Sequence, residues 1–198
     1  MRRLAPAVVL VVLALTACTT TTTSGNGTTS DTGSQIPVDL LHDTNAANKA
    51  MLAIEKKVGT SPARVSEILV YPDYMIVDAQ DPNALDHINR YTWRGGTVDP
   101  SEPVHLSGPQ DAVDASLFST SAVNLEQLPR IVLDAEQTLQ RAKPVRIEQA
   151  RGSYIDIQRS TSSELDGRIT IHISVEGPRR SGTVETGSNG EILSTNVS

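Results

Sequence analysis

The chain has 198 residues with 23 acidic and 17 basic side chains, a net charge of −6 and a pI near 5.2. The acidity is concentrated between Ile36 and Val123, where 12 acidic residues face 6 basic ones, so nucleic acid is excluded as a partner and flat docking on anionic lipid is disfavoured. A single cysteine rules out an internal disulfide, and one Trp with one Phe speaks against a deep aromatic-lined ligand pocket.

Arg2 and Arg3 form a basic head, and Leu4 to Ala17 form an apolar run interrupted only by Pro6 and Thr16. The run is shorter than the roughly 20 residues needed to cross a bilayer and has the layout of a secretory signal. It ends in "LTAC", Leu15 to Cys18. These four residues resemble the lipobox of bacterial lipoproteins. The resemblance implies acylation of the Cys18 sulfur, cleavage before Cys18 and a membrane anchor made of acyl chains. A cysteine that happens to lie near an ordinary cleavage site is the alternative. Thr19 to Gln35 is Thr, Ser, Gly and Asn with no large apolar side chain, a composition that predicts a disordered tether. The expected organisation is therefore a signal peptide over 1–17, a lipidated cysteine and tether over 18–35, and a globular body from residue 36.

Within that body one unit is written twice. Ala47, Met51, Ile54 and Val58 mark one face of a helix, capped by Asp43 or Thr44 and closed by Gly59. Strand-like runs follow at Arg64 to Pro72, Tyr74 to Gln80 and His87 to Gly96, separated by turn formers. After a connector over 107–123, Leu128, Val132, Ala135 and Leu139 repeat the helical spacing, with Asn124 as the cap and Pro129 in the first turns. Further strands are predicted at Pro144 to Arg159, Arg168 to Gly177 and Ser181 to Gly187. In the second of these Ile169, Ile171, Ile173 and Val175 alternate with polar residues. The fold class is α+β, two tandem units over 36–106 and 124–198, each a helix packed on one face of an antiparallel sheet.

This element order, with the parallel between "VDAQDP" (Val77 to Pro82) and "ISVEGP" (Ile173 to Pro178), resembles the PepSY and beta-lactamase-inhibitor-like group of secreted domains. The resemblance implies a noncatalytic binding or inhibitory module.

The search for chemistry is short. His42, His87, His105 and His172 are scattered at spacings that suit no metal site, and neither a metal nor a cofactor is predicted. His87 beside Asp86 could form a carboxylate-oriented base, but no nucleophile motif accompanies it. Asp78, Asp81 and Asp86 could hold calcium or simply form a solvated turn, and the glycine of a calcium loop is missing. No residue is assigned a catalytic role. Contact candidates are Tyr71, Tyr74, Tyr91, Trp93 and Arg94 in the first unit and Arg179 and Arg180 in the second. Tyr91 and Trp93 share a strand face, so packing beneath the helix is the favoured reading of that pair, and a solvated turn is the favoured one for the two arginines. The resulting expectation is a lipid-anchored envelope protein that binds a protein partner, residing in the outer membrane if the organism has one, because Thr19 is not aspartate. An envelope hydrolase with a dispersed site and a lipid carrier are the competing readings.

Overall fold

A computed structural model describes residues 38–106, 110–160, 165 and 167–198. Cys18, the signal segment and the predicted tether fall outside that range. Helix α1 (Ala46–Val58) precedes strands β1 (Arg64–Val70), β2 (Tyr74–Asp81), β3 (Ala84–Arg94) and the short β4 (Thr97–Val98) and β5 (Glu102–Pro103). The expected connector contains a short helix α2 (Gln110–Ser116) and a two-residue strand β6 (Phe118–Ser119) that pairs with β1. Helix α3 (Leu128–Arg141) then leads into β7 (Arg151–Arg159), β8 (Ile169–Glu176), β9 (Ser181–Gly187) and β10 (Ile192–Val197).

All strands join one antiparallel sheet whose main path runs β10-β9-β8-β7-β1-β2-β3-β4. The order is that of two equivalent meanders placed back to back, each first strand lying at the centre. The seam is the β1–β7 pairing, with Ile68 opposite Ile157 and Val70 opposite Ile155. All four are fully buried on one face, where α1 lies over β2 and β3 and α3 lies over β7 and β8. Both helix stripes and the inner face of the sheet form a single hydrophobic cluster. Two small units thus share one core, which is how segments too short to bury much surface individually become stable together.

The helices carry the predicted stripes, but each stripe contains a buried carboxylate. Glu136 lies 81 residues after Glu55, as Val132 does after Met51, so the two glutamates occupy the same place in the repeat. Glu136 accepts the Gly152 N–H at 2.7 Å and a ring nitrogen of His42 lies 3.0 Å away. Glu55 accepts from the Ser61 and Thr120 hydroxyls and from the Ala63 N–H at 3.4 Å. Each helix is therefore fastened to the backbone at the start of its own first strand; the Ala63 N–H is shared with the Thr120 hydroxyl at 3.1 Å. Gly152 has to be glycine, because a Cβ there would stand 2.8 Å from Val132 Cγ1.

Two expectations are corrected, and one strand is added. Asp43 and Thr44 do not cap α1: the Asp43 carboxylate accepts the Asp39 N–H at 2.8 Å, and Asn45, in the left-handed region at φ 64°, opens the helix without a side-chain cap. The second unit's first strand starts at Arg151 rather than Pro144, because Ile147 turns inward, fully buried, and its N–H bonds the Leu139 carbonyl at the end of α3 at 3.0 Å. β10 had no clear signature, since nearly all its residues are exposed and its sequence does not alternate. Gly59 at φ 94° closes α1 as expected, and Asn124 caps a 3-10 turn that runs directly into α3. Among the described residues no helix is long and apolar enough to cross a membrane.

Replacing Glu136 by Ala leaves the Gly152 N–H buried without an acceptor and should cost roughly 2 to 4 kcal/mol, whereas Glu136→Gln keeps an acceptor and should cost less than half of that. Urea unfolding followed by the fluorescence of Trp93 checks this. The chain's single Trp lies in the other unit, so its midpoint shifts only if the shared core unfolds as one.

Candidate functional site

Neither long helix covers the opposite face of the sheet, and the register lines its side chains into rows that run across the strands. One row is Arg94, Tyr74, Tyr71 and Tyr154, taken from β3, β2, the turn after β1, and β7. Tyr71 stacks on Tyr74 with ring centroids 4.3 Å apart and on Tyr154 at 5.5 Å, and the Arg94 guanidinium lies 4.5 Å above the Tyr74 ring. Three of the chain's four tyrosines therefore form one continuous strip over the seam. The strip follows from period-two alternation: in "YIDIQ" Ile155 and Ile157 point into the core, so Tyr154, Asp156 and Gln158 must point out.

The next row is Thr92, Ile76, Leu69, Asp156, His172 and Glu185, and beyond it come Arg90, Asp78, Glu67, Gln158 and Thr170. Arg90 holds Asp78 through two bonds of 2.7 Å, which neutralises that carboxylate, while Glu67 is 3.8 Å from the same guanidinium. Asp156 has a weaker partner, the Gln158 amide at 3.2 Å, and its Oδ1 has no hydrogen-bond partner among the described residues. Burial pushes the Glu67 carboxyl above the usual carboxylate range, helped by the negative charges of Asp156 and Asp78 and opposed by Arg90. Burial likewise raises Asp156, against a smaller opposing pull from His172. The centre of the face thus has half-buried Leu69 and Ile76 between an aromatic strip and two incompletely compensated acids. Such a mixture of aromatic, aliphatic and charged groups is typical of protein contact surfaces.

The predicted site residues separate. Tyr91 and Trp93 face the core beneath α1, 6% and 7% exposed, and are removed from the contact set; their shared parity places them on the buried side. Arg94, one residue out of phase, is exposed and belongs to the tyrosine strip, as do Tyr71 and Tyr74. Arg179 and Arg180 are exposed in the β8–β9 turn and line a surface cleft of about 620 Å³ together with Arg146 and Glu148. His87 and Asp86 are both largely exposed, 3.9 Å apart. Asp78, Asp81 and Asp86 do not converge, since Asp78 is engaged by Arg90 and Asp81 accepts the Asn83 N–H in the hairpin turn. Sequence reasoning missed Tyr154, Glu67 and Asp156, whose place on the face depends on the seam register and on a bulge at Ser66 that switches β1's phase.

No protein-family model matches the chain, and no curated protein matches it in sequence. In fold it is similar to a crystal structure of a protein from Clostridium difficile 630 assigned as a lipoprotein, with a TM-score of 0.55 and 8% identity over 82% of this chain and 100% of that one.

The two acids give a pH test. A carboxyl whose folded pKa is raised binds its proton more tightly in the folded state, so the native state is penalised above that pKa and relieved as pH falls through it toward the unfolded value of about 4. Glu67→Gln should therefore raise the melting temperature at pH 7, and the gain should shrink toward pH 4. Thermal unfolding of both proteins across that range reads it.

Proposed function

We propose that the chain is a lipid-anchored bacterial cell-envelope protein that uses the sheet face opposite its two long helices to bind another protein, without catalysing a reaction. The observation that carries the reading is the tyrosine strip with Glu67 and Asp156 beside it: large, rigid side chains and undercompensated acids displayed on a face that the two long helices leave open. The Leu15 to Cys18 lipobox supports the anchor, and the fold's likeness to the Clostridium difficile protein assigned as a lipoprotein agrees with it. The tandem helix-plus-meander order supports kinship with PepSY and beta-lactamase-inhibitor-like modules, and with it an inhibitory or regulatory role. In a diderm organism, Thr19 after the acylated cysteine favours the outer membrane, with the body in the periplasm.

A photo-crosslinking residue at Tyr154 in intact cells should capture a discrete protein, while one at Leu133, more exposed and on the outer side of α3, should not. Tyr71→Ala with Tyr74→Ala should weaken that capture at least about 30-fold, the size expected on losing a contact hot spot of 2 kcal/mol. Equal labelling from Leu133, or capture unaffected by the tyrosine changes, contradicts the assignment. For the anchor, Cys18→Ser should move the protein from the membrane fraction to the soluble one.

A further inference from the structure

We propose that β10 is a pairing edge at which two copies of this chain join antiparallel, extending the sheet across a twofold axis through Thr195. The two ends of the sheet are treated differently. At one end β4 is only two residues long, Asp99 and Pro100 follow it, and the β5 stretch that continues along β3 consists of Glu102 and Pro103. Short length, charge and proline are the usual means of stopping a sheet edge from recruiting another strand. At the other end β10 reads "ILSTNV", six residues with neither charge nor proline, its outer side unpaired among the described strands.

The backbone of β10 has the correct phase for this pairing. The Ser198 N–H bonds inward to the Ser181 carbonyl at 2.9 Å, so alternation along an antiparallel strand directs the amides of Thr195 and Val197 outward. A twofold axis at Thr195 sets Thr195 opposite Thr195 and Ser194 opposite Asn196. Each is a compatible cross-strand pair, and none opposes like charges. Leu193 and Ile192, 37% and 41% exposed, would lose water in the process. The chain's net charge of −6 does not prevent the approach, because the nearest acid on β9, Glu185, already accepts the Ser194 hydroxyl at 3.1 Å and lies one strand back from the axis. The one bulge in β10 falls between Ile192 and Ser194, two residues from the axis, so regular pairing is confined to Ser194, Thr195 and Asn196 of each copy. A contact of this length is below the area of a permanent dimer, so the association is weak in solution and gains from any confinement that raises local concentration. The inference needs no lipid anchor and stands apart from the open-face reading.

The test uses the full chain carrying Cys18→Ser, which removes the native thiol. Adding Thr195→Cys places one thiol on the axis, where partners in a bonded antiparallel pair have Cα atoms about 5.5 Å apart, within disulfide range. The control is Thr97→Cys on the guarded edge, also exposed. Mild oxidation across a concentration series should link the Thr195→Cys protein at least about tenfold faster than the control. Sedimentation of the Cys18→Ser chain should show a concentration-dependent dimer that Thr195→Lys abolishes. Linking at Thr195→Cys no faster than at Thr97→Cys overturns the proposal, as does a dimer that persists undiminished in the Thr195→Lys protein.

Discussion

The pairing of β1 with β7 is the constraint on which both faces of the molecule depend. On the inner side it sets Ile68 against Ile157 and Val70 against Ile155, and so merges two helix-on-meander units into one core. On the outer side the same register sets Glu67 against Gln158 and Leu69 against Asp156, and brings Tyr154 within stacking distance of Tyr71. A slip of one residue would exchange the two sets and expose isoleucines in place of tyrosines. Stability and the candidate contact surface therefore arise from one geometric decision, taken where the two repeats meet.

The buried glutamates show how each repeat is held to that seam. A carboxylate among Met51, Ile54, Val132 and Ala135 is costly to desolvate, and it is tolerated because each accepts a backbone N–H at the start of its strand together with polar side-chain partners. The outer carboxylates follow the opposite logic. Asp156 has an oxygen without a partner, and Glu67 is raised by burial and by neighbouring negative charge. Undercompensated groups that cost stability, gathered beside partly exposed aromatics, are what makes this face the candidate contact surface.

Much of the fold was legible because it is written in periodicity. The two helix stripes, the isoleucine alternation of β8 and the Gly59 stop specify helix-on-sheet units without reference to anything distant. The contact surface was legible only in part. Tyr71, Tyr74 and Arg94 could be selected as aromatic and cationic residues, but Tyr91 and Trp93 have the same composition and the opposite parity. Their side is fixed by register with Val77 and Met75 on β2, which no local window contains. Tyr154, Glu67 and Asp156 depend on a pairing between residues nearly ninety positions apart and on a bulge at Ser66. The buried glutamates were hidden for a different reason: a charged residue on a helix reads as solvent-facing until the donor waiting opposite it is known.

The most direct measurement is native-state hydrogen exchange in rising denaturant, followed at the amides of the two meanders. If β1 and β7 form the continuous centre of one sheet, the slowest amides of β2 and of β8 will exchange with the same opening free energy and the same denaturant dependence, equal to those of global unfolding. Two separate values, with one meander opening while the other stays protected, would mean that the seam does not bind the halves into one body. The tyrosine strip that spans it would then have no fixed geometry.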